Sequence, residues 1–259
     1  MEHPLTFALI ASLVTALATT AGALPAAFSR HFPERFQDGL MGFSAGVMLA
    51  ATSFSLILPA LARTEVSGLA KAPAAVVVGL SVLFGALFLH LCNRYIPHEH
   101  FMTGREGGPS SVTMKRLWLL VLAITLHNLP EGLAVGSGAG SQDLGLALPI
   151  LTGIALQDVP EGFVVALAMM AAGYSFREAL GMTVVTGLVE AGAAMLGYAA
   201  VSQVSVLLPF ALAFAGGSML YVVSNEMIPE SHHKEHAQEA TAGLMIGFVL
   251  MMVLDVALS

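Results

Sequence analysis

Charge is what this chain of 259 residues has least of: only 10% of it is Asp, Glu, Lys or Arg, against about 25% in a soluble globular chain. The few charges fall in short clusters between apolar stretches, so no polar region is long enough to fold as a soluble domain. Basic residues are scarcer still. Ten Lys and Arg against 17 Asp and Glu give a net charge of −7, which excludes the basic stripe that a nucleic-acid partner requires. A single cysteine, Cys92, excludes an intramolecular disulfide and any multi-cysteine zinc site. The first residues lack the Lys or Arg of a secretory leader. The charge-free run over residues 5–28 also exceeds the roughly 7 to 15 residues of a leader's apolar core, so it reads as a retained first helix.

What the chain has in quantity is apolar side chains, 56% of all residues, with a mean hydropathy of +0.81. Eight runs, at about 5–28, 39–61, 74–92, 117–140, 146–172, 179–204, 206–229 and 240–258, approach or exceed the roughly 20 residues that cross about 30 Å of hydrocarbon as helix. Backbone groups in lipid must be satisfied internally, and these runs lack the ten-residue alternation of a barrel strand. The expected fold class is therefore an all-α integral membrane protein of eight transmembrane helices, one transporter domain over residues 1–259. With the N-terminus outside, Arg30, Arg35, Arg94, Arg105, Lys115, Arg116, Arg177 and Lys234 fall in cytoplasmic connections and only Arg63 and Lys71 outside, so both termini are expected to be extracytoplasmic. The cytoplasmic connection at about 93–116 contains Gly107 to Ser111 and reads as a flexible linker. A second cytoplasmic connection, about 230–239, is rich in histidine.

Spans four and five each carry a six-residue cassette, His127-Asn128-Leu129-Pro130-Glu131-Gly132 and Gln157-Asp158-Val159-Pro160-Glu161-Gly162, offset by 30 residues. Consecutive spans run in opposite directions, so two like cassettes near their centres imply a local pseudo-twofold with a site at the midplane. Helical spacing brings His127, Asn128 and Glu131 to one face, and likewise Gln157, Asp158 and Glu161. Pro130 and Pro160 each remove a helical hydrogen bond, freeing the carbonyls of Leu126 and Leu156, while Gly132 and Gly162 permit close approach of a neighbouring helix. Glu190, about eleven residues into span six, stands at the same depth.

An ionised side chain at the bilayer centre costs about 2.5 to 3.5 kcal/mol even on the lenient insertion scale. No Lys or Arg in these spans offsets Glu131, Asp158, Glu161 and Glu190, so protons or metal cations must; two divalent ions would balance four carboxylates. Imidazole mixed with carboxylate and amide oxygen suits zinc, iron, manganese or cadmium better than magnesium or calcium. Met48, near the centre of span two, is either packing or a soft thioether ligand. Asp255 near the outer end of span eight is a solvated or an entrance residue, and Asn225 and Glu226 near the inner end of span seven stand in the same position. The histidines of His98-Glu99-His100 and those at His232, His233 and His236 form solvated loops or an auxiliary metal site outside the core.

The two cassettes, in the fourth and fifth of eight spans, resemble the signature of the ZIP (Zrt/Irt-like) family of zinc and iron transporters in its bacterial form, and the resemblance runs from Met48 through Glu190 to Asp255. It implies a 3+2+3 arrangement of spans, a bacterial inner membrane location and import of zinc into the cytoplasm by alternating access, with spans one, four, five and six moving against the rest. A binuclear centre is also implied: Met48, His127, Glu131, Gln157 and Glu161 around one ion, Asn128, Glu131, Asp158, Glu161 and Glu190 around the other, Glu131 and Glu161 bridging. Two zinc ions per site, substitution by cadmium and a homodimer follow by the same resemblance. One departure stands out: Leu61-Ala62-Arg63 occupies a place where some relatives carry an acid, which puts an acidic pair with Asp255 in question. Two other classes fit the same residues less closely, an intramembrane metal-dependent hydrolase, for which no separate base or nucleophile stands out, and a proton or cation channel.

Overall fold

The computed structural model describes residues 3–29, 32–95, 98–100, 104–106, 116–171, 173–232 and 236–259, with backbone alone for 98–100, 104–106 and 116–125. Ten α-helices are described: α1 (Pro4–Gly22), α2 (Glu34–Ala50), α3 (Leu58–Val66), α4 (Lys71–Tyr95), α5 (Arg116–Gly140), α6 (Leu144–Ala171), α7 (Phe176–Gln203), α8 (Leu208–Val222), α9 (Ile228–Ser231) and α10 (Ala237–Leu258). Among the described residues, seven helical stretches are long and apolar enough to cross a membrane: Pro4–Ala27, Glu34–Val66, Lys71–Tyr95, Leu144–Ala171, Phe176–Gln203, Ser205–Ser231 and Ala237–Leu258. The 25-residue α5 takes the place of the fourth expected span. The chain is thus an all-helical, multi-pass membrane protein.

Two spans differ from plain helices. The second runs 33 residues, because α2 begins directly after Pro33 with Glu34 in its first turn and continues through a π-helical segment, Ala51–Ile57, into α3. The seventh contains a shorter one, Val223–Met227, between α8 and α9. Such wide turns leave backbone groups partly released and recur at functional sites. In the connection expected as a linker, β1 (His98–His100) and β2 (Gly104–Glu106) pair antiparallel, whereas Gly107 to Ser111 lie outside the described residues.

Small residues set the packing. α1 buries Ala8, Ala11, Ser12, Thr15, Ala16, Thr19 and Gly22 and lies against both α6 and α7. The cassette glycines act as expected: a side chain at Gly162 would strike the Thr19 carbonyl of α1, and one at Gly132 would strike the Glu190 carbonyl of α7. α5 runs along α7, α4 along α8 and α10 along α2. Large apolar side chains such as Leu9, Leu13, Leu17, Leu80, Leu83 and Val253 stand outward, where water would penalise them and hydrocarbon does not.

The α2–α10 seam yields a stability test. A methyl group at Gly46 would overlap the Leu244 carbonyl, while one at Gly79 of α4 meets nothing within 4 Å. Gly46→Ala is therefore expected to destabilise the protein by about 1 to 3 kcal/mol through overpacking. Gly79→Ala should be neutral or stabilise by about 0.5 to 1 kcal/mol through helix propensity. Thermal unfolding in detergent, monitored by circular dichroism, compares the two; equal shifts would contradict this packing.

Candidate metal centre

Pro130 and Pro160 interrupt α5 and α6 without ending them, and the polar residues of each cassette lie within the turns just before and after the proline. Ligand atoms of Glu131, Asp158 and Glu161 all lie within 4.8 Å of one another, so the two cassettes do meet. Glu131, Asp158, Gln157, Asn128 and Glu190 are buried, and Glu161 is half-buried.

Two amides organise the acids. Asn128 Nδ2 on α5 donates to Glu190 Oε2 on α7 at 3.3 Å, and Gln157 Nε2 on α6 donates to Glu131 Oε1 on α5. An amide that spends its N–H on a carboxylate leaves its carbonyl oxygen over. Accordingly Asn128 Oδ1, Gln157 Oε1, Glu131 Oε2, Glu190 Oε1 and both oxygens of Asp158 are buried without a hydrogen-bond partner. Leaving a buried polar atom unsatisfied costs about 1 to 3 kcal/mol, more when it is charged, and native proteins rarely concentrate several in one place. All of these are acceptors, so what fits among them is a cation or a proton.

The remaining expected residues distribute unevenly. Met48 is fully buried on α2, one turn after Ser44, whose hydroxyl donates to the main-chain carbonyl of Gln157 at 3.2 Å; the thioether therefore shares the helix face that meets the second cassette. His127 pairs through Nε2 with Glu226 of the π segment that follows α8. Glu226 is buried and also accepts a hydrogen bond from Asn93 of α4. Asn93 escaped the sequence reading; its only signal was an amide just inside the end of an apolar run. Asn225 is exposed. Asp255 accepts a hydrogen bond from Ser55 of the other π segment, while Arg63 pairs with Asp143.

The histidines of the connection at about 230–239 are engaged separately. His232 bonds Thr241 Oγ1 through Nε2 at 3.0 Å, and His236 Nδ1 lies 3.2 Å from Oδ2 of the buried Asp38 on α2. His233 lies outside the described residues, as do the side chains of His98 and His100.

Comparison with known proteins agrees with this chemistry. The family model described as ZIP zinc transporter matches residues 97–255. The chain is 45% identical over 250 residues to the zinc transporter GufA of Myxococcus xanthus, covering 96% of this chain and 98% of that one. It is 44% identical over 242 residues to the zinc transporter ZIPB of Bordetella bronchiseptica, covering 93% and 78%. It is also 31% identical over 331 residues to the zinc transporter ZIP11 of Homo sapiens, covering 97% of each chain.

Because Asn93 and His127 both serve Glu226, their removal should not be additive. Asn93→Ala is expected to destabilise by about 1 to 3 kcal/mol, since it withdraws a donor from a buried carboxylate. Combined with His127→Ala, the total should depart from the sum of the single changes by about 0.5 to 3 kcal/mol, as measured by a double-mutant cycle of thermal unfolding. Strict additivity would mean that the two contacts are independent.

Proposed function

The chain belongs to the ZIP zinc transporter family, and from that premise we propose that it carries zinc across the membrane through the carboxylate cluster of α5, α6 and α7. The observation that carries this reading is Asp158, a buried carboxylate with both oxygens unpartnered, packed against Glu131 and Glu161. An acid in that setting has no structural use that an apolar residue would not serve better, whereas a divalent ion is bound by carboxylate oxygens gathered as those of Glu131, Asp158 and Glu161 are. Neither the relatives nor the geometry supports a hydrolase or a channel.

The finer reading is that the centre is binuclear, with His127, Glu131, Gln157, Glu161 and Met48 around one zinc ion and Asn128, Glu131, Asp158, Glu161 and Glu190 around the other. Cadmium substitutes in the same donor set. The packing of α1 against α6 and α7, and of α5 against α7, supports a block of spans one, four, five and six that moves against the others to alternate access, importing zinc into the cytoplasm. Eight of ten basic residues on one side support extracytoplasmic termini, with residues 1–259 forming one transporter domain in a 3+2+3 arrangement in the bacterial inner membrane as a homodimer. Asn225, Glu226, His232, His233, His236 and Asp255 are auxiliary to this centre.

Uptake of zinc, cadmium, iron and manganese into liposomes containing the purified protein tests the proposal. Zinc uptake should saturate, and Glu131→Ala and Glu161→Ala should each reduce it to the level of empty liposomes, because each bridging carboxylate serves both ions. Near wild-type uptake by either variant would reject the bridged centre as the route.

A proton count follows from charge balance. Without metal, the clustered acids have no basic side chain to offset them, so protons do; zinc requires the ionised forms and must displace them. Zinc binding is therefore expected to release protons at pH 7 and to weaken as pH falls, and Glu190→Gln should release fewer. Calorimetric titration in buffers of different ionisation enthalpy gives the number directly. A value of zero for the wild type would contradict this charge balance.

A further inference from the structure

Two cavities that the transport site does not use lie one beneath the other in the crevice between the α4–α8 pair and the α5–α7 pair, with volumes of about 430 and 500 Å³. The same four helices wall both. α4 gives Val77 to the first and Ser81 to the second, α5 gives Gly140 and then Ser137, α7 gives Val201 and then Gly197, and Phe210 of α8 lines both. Each step is about one helical turn, so the cavities form a single slot that starts at the Arg63 end of the bundle and descends toward the midplane.

The two storeys differ in chemistry. The upper mixes Arg63, Thr64, Ser141 and Gln142 with Leu69 and Val206. The lower is walled by Leu80, Phe84, Leu133, Leu196, Leu207 and Phe214. Leu80, Phe84 and Leu196 are 61%, 64% and 65% exposed, so the lower storey opens sideways onto the bilayer and cannot exclude hydrocarbon. At the mouth, Arg63 is paired with Asp143 of the α5–α6 turn, where Gln142 takes a positive φ of 60° and Asp143 Oδ1 accepts from Gly145 N at 3.1 Å. The mouth thus offers one positive and one negative group held side by side.

We propose that this slot binds one zwitterionic phospholipid with a primary ammonium in its headgroup, its phosphate taken by Arg63, its ammonium by Asp143, and an acyl chain laid along the lower storey. Charge complementarity selects this occupant: an anionic headgroup would meet Asp143 unfavourably, and a phosphate matches the planar donors of Arg63. A concave slot with a polar mouth and an apolar floor suits a headgroup and tail better than the convex face of a second copy. Arg63 and α4 stand on one wall and Asp143, α5 and α7 on the other, so the lipid would bridge elements that the proposed transport cycle separates.

Native mass spectrometry of the full chain, titrated with phosphatidylethanolamine or phosphatidylglycerol, tests this. One phosphatidylethanolamine per chain should be retained roughly fivefold or more tightly than phosphatidylglycerol, and Arg63→Gln, which removes the phosphate contact common to both, should weaken both lipids while the preference persists. Asp143→Asn should reverse the preference, and Ala200→Phe, which fills the lower storey, should weaken both lipids. Arg63 and Asp143 are exposed, so their variants keep the test decisive even if Ala200→Phe fails to fold. The proposal is overturned by equal retention in wild type, Arg63→Gln and Asp143→Asn, by a wild-type preference for phosphatidylglycerol, or by a lipid-free dimer that Arg63→Gln and Ala200→Phe dissociate, which would place a second copy over the slot.

Discussion

Glu131, Asp158, Glu161 and Glu190 are held inside a bundle surrounded by hydrocarbon, and no Lys or Arg lies within ten positions of any of them. Insertion of such groups into lipid is expensive, so the rest of the architecture reads as a means of bearing that cost. Asn128 and Gln157 place amide N–H groups on two of the acids, α1 presents a stripe of small residues so that α6 and α7 can close around the cluster, and Gly132 and Gly162 let helix backbones touch beside it. None of these devices adds positive charge. The cluster stays a trap for cations, and transport follows from the same deficit that makes the fold costly.

Much of this was legible in the sequence because the membrane imposes a coarse and strict grammar. Apolar runs of spanning length, bounded by charge, located every span to within a few residues, and the paired cassettes located three acids that the structure brings within 4.8 Å. What could not be read is what depends on pairing between distant segments. His127 was grouped with its cassette by helical spacing, yet its Nε2 contact lies 99 positions away at Glu226. The π segments carry no residue signature; Ala51–Ile57 and Val223–Met227 differ from ordinary helix in one residue per turn, a matter of packing rather than composition. The strand pair after α4 was likewise invisible, since three-residue strands are too short for an alternating pattern to register.

The two π segments are not scattered. One holds Ser55, which binds Asp255, and the other holds Glu226, which binds His127 and Asn93. Both lie on spans other than α1, α5, α6 and α7; one carries the acid Glu226 itself, and the other carries Ser55, the donor to an acid of α10. A wide turn shifts the residues after it around the helix axis, which re-aims a side chain without tilting the whole span.

The cassettes, although they share one frame, use their two polar positions in opposite order. In α5 the second position, Asn128, holds a neighbour's carboxylate; in α6 the first, Gln157, does so. That leaves His127 paired with Glu226 and Asp158 directed into the cluster. An imidazole has two ring nitrogens, so His127 can keep Nε2 on Glu226 while Nδ1 faces an ion, the arrangement in which a carboxylate orients a ligating histidine. In a centre where His127 is a ligand, the contact with Glu226 would orient its ring, and without an ion the same contact holds the ring in place. Asp158 has no competing partner and stays with the cluster in either case. The broken symmetry of the repeat thus leaves one acid inside the cluster and one imidazole tied to the span that carries Glu226.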